Sequence, residues 1–426
     1  MELKIIVTIA VFAAVYIVIA LDMMNKASIA LFGAALLLML KIIPVETALL
    51  KVDFKVMILL ISMMVIVNVI KETGIFHYLA IKSAKVAKGD PLKILLFLML
   101  VTAFISAFLD NVTTVLIISP LSILIAVELG LSPIPFLITQ IIASNIGGTA
   151  SLIGDPPNIM IGYGAQLTFN DFLINMSPLI FIITGTSLIV TILLFKNTLN
   201  VSPERKKKIM AFNELEAITD SVFMVKSLIV LTIVIVGFIL NTVIGIDPSV
   251  IALFGATLLL IISHQKHQEK YFGEVEWTTI FFFIGLYIMV GAMEELKIIE
   301  FLGNNIVRVA GNNISIATMV ILWGSGMISG IIDNIPYTAM MIPLLKMLHA
   351  SFGTTNGSVL WWALSAGACL GGNLTLIGAS ANVIVSGVAS KSGYKLSFGE
   401  FAKYGILYTI ISLLISSVYF YVRYLF

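Results

Sequence analysis

The chain has 426 residues, of which 59% are apolar and only 11% charged, and its mean hydropathy is +1.09. A soluble domain carries about 25% charged residues, so this composition excludes a soluble globular protein and implies an all-α polytopic membrane protein. A formal charge of +2 says little, because the location of the charges matters more than their sum. Nothing in the sequence resembles a nucleic-acid surface, and a single cysteine, Cys369, excludes a disulfide framework or a Cys-rich metal site.

Apolar segments in the first half fall near residues 5–21, 27–41, 55–70, 93–129, 134–166 and 173–195. The first lacks a basic leader and a small-residue cleavage site, and reads as a span rather than a removed signal. The stretch 71–91 is less apolar and places Lys82, Lys85 and Lys88 at helical spacing. It reads as an amphipathic helix lying in the membrane interface. Its counterpart near 294–313 is expected to play the same part on the other face. The segment 93–129 is about twice a span and carries Asp110 and Asn111 at its middle, so it is two spans or a re-entrant hairpin. The segment 134–166 is interrupted at "IGDPPNIM", where Pro156 and Pro157 remove two backbone donors and Gly154 gives flexibility before them. A helix crossing lipid satisfies its own backbone groups, so a break at membrane depth must face protein or a water-filled cavity. A basic linker over 196–222 follows. The histidines of "SHQKHQEKY" (263–271) are expected in water, the 19 methionines in packing, and Cys369 inert beside Gly367 and Gly371.

The second half repeats the first. "IALFGAALLL" (29–38) returns as "IALFGATLLL" (251–260), Asp110-Asn111 as Asp333-Asn334, and "GGTASLIG" (147–154) as "GGNLTLIG" (371–378). The shift stays between 222 and 224 residues over the whole chain. Five crossings plus one hairpin per half make the count odd, so the second repeat enters the bilayer from the opposite face. The reading is two inverted repeats, 1–195 and 223–426. Each has about five transmembrane helices and one re-entrant hairpin (about 93–129 and 316–350). Each also has one helix broken at the midplane (about 134–166 and 359–390). Such duplication marks secondary transporters, whose site lies between the repeats. With the 196–222 linker in the cytoplasm, Lys26, the 71–93 connection, Lys266, Lys270, Lys391, Lys395 and Lys403 also fall inside, as the positive-inside rule demands. This predicts ten spans, two hairpins and both termini outside, in the plasma membrane.

Polar side chains gather at the breaks: Asp110, Asn111, Thr113, Thr114, Asn145, Thr149, Ser151, Asp155 and Asn158 in the first half. Asp333, Asn334, Thr338, Asn373, Thr375, Ser380 and Asn382 gather in the second, where Gly378 matches Gly154 and Pro336 interrupts the second tip. Broken helix ends present free N–H groups to anions and free carbonyls to cations. A carboxylate at membrane depth is costly and belongs to ion pathways and proton relays. Asp110 and Asp333 are therefore candidates to exchange a proton for a monovalent cation. The alternative is that each only caps a half-helix.

"LDNVTTVLIISP", "ASNIGGTASLIGDPPNIMIG" and "LWWALSAGACLGGNLTLIGASANVIVSG" (360–387) resemble the arsenite permease / P-protein / NhaD group of the ion transporter superfamily, nearest its P-protein-like branch. The resemblance implies a transport domain of about 93–166 and 316–390 moving elevator-fashion against a scaffold, and a homodimer. In the related sodium-coupled dicarboxylate carriers each hairpin tip carries Ser-Asn-Thr. Here the triplets are Asp110-Asn111-Val112 and Asp333-Asn334-Ile335. Two hydroxyls lost and two carboxylates gained argue against a dianionic substrate and suit a neutral or cationic one. The leading expectation is a secondary transporter of a small inorganic ion or metalloid, arsenite or antimonite efflux first, coupled to H+ or Na+. A sodium–proton antiporter of the NhaD type is the alternative, and a di- or tricarboxylate symporter the third reading. The chain carries no HExxH and no nucleotide-binding loop, so an enzyme is not expected and ATP drive would need a separate ATPase subunit.

Overall fold

The protein is described by a computed structural model covering residues 2–21, 23–263, 268–301 and 313–426, and these are helical with no strand among them. The expected interfacial helix near 294–313 and His264, His267 and Lys266 lie wholly or partly outside the described residues.

The first half runs α1 (Glu2–Ala20), α2 (Lys26–Met39), α3 (Val45–Lys51), α4 (Phe54–Lys71), α5 (Ile75–Val86), α6 (Pro91–Ser106), α7 (Asn111–Leu129), α8 (Ile134–Gly148), α9 (Pro156–Ala165), α10 (Phe169–Asn175) and α11 (Ser177–Phe195). The linker holds α12 (Pro203–Met210). The second half runs α13 (Ser221–Ile244), α14 (Pro248–Ile262), α15 (Gln268–Gly273), α16 (Trp277–Glu295), α17 (Ile314–Ser329), α18 (Asn334–Phe352), α19 (Thr354–Gly371), α20 (Ser380–Lys391) and α21 (Phe398–Phe420). Among the described residues seven helices are long and apolar enough to cross a membrane, and several shorter ones are as apolar. The protein is a multi-pass all-α membrane protein.

The helix boundaries carry the repeat down to single residues. Moved by 223 positions, α6 falls on α17 and α7 on α18 at both ends. Even the interior prolines of the outer hairpin arms, Pro120 and Pro343, superpose. Packing is reciprocal as well. Helix α2 packs on α16 and α14 on α4, α6 on α8 and α17 on α19, α7 on α20 and α18 on α9.

Each hairpin is stopped by its own tip chemistry. Asp110 is the N-cap of α7, one carboxylate oxygen accepting from the Thr113 N–H at 2.9 Å. Asp333 caps α18 through the Ile335 N–H at 3.1 Å. Pro336 stands in the first turn of α18, where a missing N–H costs nothing. Pro156 and Pro157 likewise open α9 rather than interrupt a helix in its middle. The two breaks are therefore residues 149–155, between α8 and α9, and 372–379, between α19 and α20.

Small residues let the hairpins lie against the broken helices. A Cβ on Gly147 would stand 2.0 Å from the Ala103 carbonyl, and one on Gly371 2.5 Å from that of Gly326. Ser106 on α6 donates to the Ser144 carbonyl at 2.7 Å, and Ser329 on α17 donates to that of Ala368 at 2.9 Å. The linker crosses the base of the first hairpin. Arg205 donates to the Leu129 carbonyl at the end of α7 (3.0 Å), and Lys206 reaches Asp90 at 3.4 Å. Glu214 pairs with Lys82 (3.2 Å) and with Lys85 of α5. The amphipathic helix expected over 71–91 is thus α5, roofed by the linker.

Candidate functional site

The tips of both hairpins and the ends of both broken helices converge on one buried polar centre. Ser151 donates to the Ala107 carbonyl in the first tip, and Thr375 to the Gly330 carbonyl in the second at 2.5 Å. The Asn334 N–H donates to the Gly378 carbonyl at 3.1 Å. Each tip therefore seats in the break of its own half.

A helix that stops inside the protein leaves carbonyls without donors. Asn158 turns its amide back onto the carbonyls of Gly148, Thr149 and Ser151 (2.9–3.3 Å). Asn382 does the same for Gly372 (2.7 Å) and Thr375 (2.9 Å). Both were expected as ligands; their N–H groups are committed to closing the breaks, and only their oxygens face inward. The Asn158 oxygen accepts from Ser365 (2.7 Å) and from the Cys369 thiol (3.5 Å). The Asn382 oxygen accepts from Asn145 at 3.0 Å. Asn145 joins the halves: it also donates to Asn373 (2.9 Å) and accepts from Asn111 (3.1 Å).

On the other side of this amide cluster, Asn334 donates to both Asp155 oxygens, at 3.3 and 3.5 Å. Asp155 is completely buried and makes no cap bond to α9. Its repeat counterpart is Ala379, so the centre carries one carboxylate that the duplication does not mirror. Thr149 and Thr338 bond backwards to the carbonyls of Asn145 (2.7 Å) and Asn334 (2.8 Å) and stiffen their helices. Thr114 and the Asn373 amide are buried with no hydrogen-bond partner among the described residues. All fourteen expected site residues thus lie in or beside one centre, though not all with their polar atoms free.

The hairpin carboxylates differ in one decisive way. The second oxygen of Asp110 accepts only from the Thr113 hydroxyl at 2.6 Å, and among the described residues no lysine or arginine pairs with it. The second oxygen of Asp333 accepts from Ser380 at 2.8 Å and forms an ion pair with Lys26. The three carboxylates are near enough for their charges to interact, Asp155 with both Asp333 and Asp110, and Asp110 also with Glu276.

Lys26 and Glu276 were missed as site residues, the lysine being read only as a charge on the inner face. The signal was present: Lys26 begins an apolar helix of only 14 residues, shorter than a full span. Glu276 stands in "VEW", the repeat partner of "VDF". Both residues line a cavity of about 690 Å³ with Met24, Leu116, Thr279 and Ser380. This cavity opens on the face of the linker, where Lys270 reaches Glu72 at 2.5 Å and Thr219 donates to the Glu72 carbonyl at 2.6 Å. At the opposite ends of α2 and α4 lie cavities of about 650 and 300 Å³, lined by Lys51, Asp53, Tyr163 and others. The larger of these is lined by Leu152 of the first break, and the smaller reaches inward to Met160 of α9.

Comparison with known proteins gives this arrangement a family. Residues 16–367 match the model described as "Citrate transporter", CitMHS. A protein named "46 kDa membrane protein" from Mycobacterium leprae is 43% identical over 425 residues, covering 99% of both chains. A Mycobacterium tuberculosis protein named as an uncharacterized transporter is 42% identical over 98% of both chains. The P protein of Homo sapiens is 32% identical across 98% of this chain, which spans 60% of that longer protein. The chain belongs to the CitMHS citrate transporter family, a family of membrane transporters.

Proposed function

We propose that the protein is a secondary transporter of a small inorganic solute, driven by a proton or a monovalent cation held at Asp110. The observation that carries this reading is the buried Asp110 carboxylate, capped and hydroxyl-bonded but without a cationic side chain among the described residues. Leaving a charge buried and uncompensated costs several kcal/mol, so a mobile proton or cation is its natural partner. The amide cluster around Asn145 and the acidic balance of the centre favour a neutral or cationic substrate. Arsenous or antimonous acid, exported against protons, is the leading solute; a sodium–proton exchange is the second. Citrate, which the family's name suggests, would bring several negative charges to a centre holding three carboxylates and one paired lysine. Alternating access of the hairpins and broken helices (α6–α9 and α17–α20) against α1–α4 and α13–α16, as inverted repeats, is supported by the reciprocal packing of the two halves.

Proteoliposome flux tests this. Arsenite or sodium movement should depend on an imposed pH gradient in the native protein and lose that dependence in Asp110→Asn, with the folded protein recovered in equal yield. Gradient-dependent flux that survives Asp110→Asn overturns the reading. Citrate uptake without movement of either inorganic solute overturns the substrate class.

A further inference from the structure

The repeat is broken at one place that the proposed ion chemistry does not use. Asp333 and Asp110 are equivalent residues of the two hairpins, yet among the described residues only Asp333 holds a lysine. Lys26 bonds to its Oδ2 and stands 3.2 Å from the Ser380 hydroxyl, which itself donates to the same Oδ2 at 2.8 Å. The repeat partner of Lys26 is Pro248 and that of Ser380 is Pro156, so the ammonium has no repeat counterpart, and the hydroxyl on the second oxygen of Asp110 comes instead from Thr113 of its own helix. The lysine comes from a different body than the carboxylate. Helix α2 packs on α16 and α1, whereas Asp333 and Ser380 belong to the second hairpin and the second broken helix. Tyr16 of α1 holds the same tip from the same side, donating to the Pro336 carbonyl at 2.8 Å. The Asp333 side chain is 2% exposed and that of Lys26 25%, so the ammonium sits between the carboxylate and the 690 Å³ cavity.

We propose that Lys26 is the resident cation of Asp333. Its ammonium occupies the position that a monovalent metal cation would take between the carboxylate and Ser380, so one of the two repeat-related hairpin carboxylates is closed to exchange. Lys26 thereby sets the number of mobile cations at one. The inference rests on the reading of Asp110 as the exchanging carboxylate. An ammonium carries three donors and one charge. Removing it leaves a buried carboxylate beside a hydroxyl at the floor of an aqueous cavity, a site suited to sodium or lithium.

The test uses the purified full-length protein and reads thermal unfolding against sodium, lithium or potassium chloride, with choline chloride holding ionic strength constant. A ligand that binds only the folded state raises its stability in proportion to ln(1 + [L]/Kd). Lys26→Met and Lys26→Gln should each gain a saturable rise in Tm with sodium or lithium beyond any that the native protein shows. Lys26→Arg, which keeps the charge, should gain none, and neither should the double variant Lys26→Met/Asp333→Asn. A Lys26→Met protein no more cation-dependent than the native one overturns the proposal, as does a gain that persists in the double variant. Lys26→Met and Lys26→Gln proteins that stay unfolded at every salt concentration overturn it too, because a metal cation then cannot replace the ammonium. The comparison at Asp333 is independent of Asp110→Asn. Loss of the native cation response in Asp110→Asn reports on the proposed function alone.

Discussion

At the scale of single residues, the centre separates side chains that close the backbone from side chains left to bind. Asn158 and Asn382 lie on the first group's side: each supplies donors to carbonyls that the helix breaks would otherwise orphan. A buried acceptor without a donor costs about 1–3 kcal/mol. Asn158→Ala strips three such carbonyls of their donor and should lower Tm by several degrees, with Asn382→Ala close behind. Thermal unfolding of the purified variants checks this, and an unchanged Tm in both would show that the breaks are held by other contacts. Cys369 is buried against Asn158 and should not react with an impermeant maleimide until the protein unfolds. The Asp-Asn pairs were legible in the sequence as a site because a carboxylate at membrane depth is costly wherever it points. Their capping half was legible too, since aspartate before a helix is a common N-cap. Which oxygen remained free was not legible, because that depends on neighbours from other helices.

At the scale of elements, the close approach of hairpin and broken helix is set by glycine. Gly147→Ala would drive a Cβ to 2.0 Å from the Ala103 carbonyl, and Gly154→Ala to 2.5 Å from that of Ser106, both backbone atoms that cannot swing aside. Both variants should lose folded yield. Gly185→Ala and Gly324→Ala meet nothing within 4 Å and should leave yield unchanged, Tm rising slightly because glycine is about 0.5–1 kcal/mol worse than alanine inside a helix. Size-exclusion chromatography after extraction distinguishes the two outcomes. The linker offers a second case. Hydrogen bonds from Lys85, then its own backbone and Lys82, hold the Glu214 carboxyl down at about 2, well below its ordinary value. Because the folded value is depressed, the clasp on α5 is fully present above the ordinary glutamate range and is lost only as pH falls toward 2. Limited proteolysis should therefore cut the linker of Glu214→Gln at neutral pH, while the native linker resists cleavage down to mildly acidic pH. The hairpins and breaks were readable from prolines, glycines and segment length. The roofing of α5 by the linker was not, since amphipathic spacing reports a half-polar helix without saying what lies on either face.

At the scale of the molecule, the cavity that reaches Lys26 and Ser380 opens on the linker's face, and the larger cavity on the other face is lined by Leu152 of the first break. Cysteine introduced at Thr278 should be labelled by an impermeant maleimide only in inside-out vesicles, together with cysteine at Glu204 in the linker. Cysteine at Leu50, 86% exposed at the opposite end, should be labelled only in intact cells. Labelling of Thr278→Cys and Leu50→Cys from the same side would contradict the assigned faces.

The sequence by itself determined the class of the molecule, the register of its duplication and the segments where helices must break. Each of those is a property of local composition or of the chain compared with itself. Only the tertiary structure decided that the amide groups of Asn158 and Asn382 staple the backbone, that Asn334 reaches across to Asp155, and that Asp333 is already paired. Lys26 and Asp333 are 307 residues apart, and no periodicity links them. Their contact exists because a short helix starts beside the hairpin of the other repeat, and a buried carboxylate there takes the nearest ammonium.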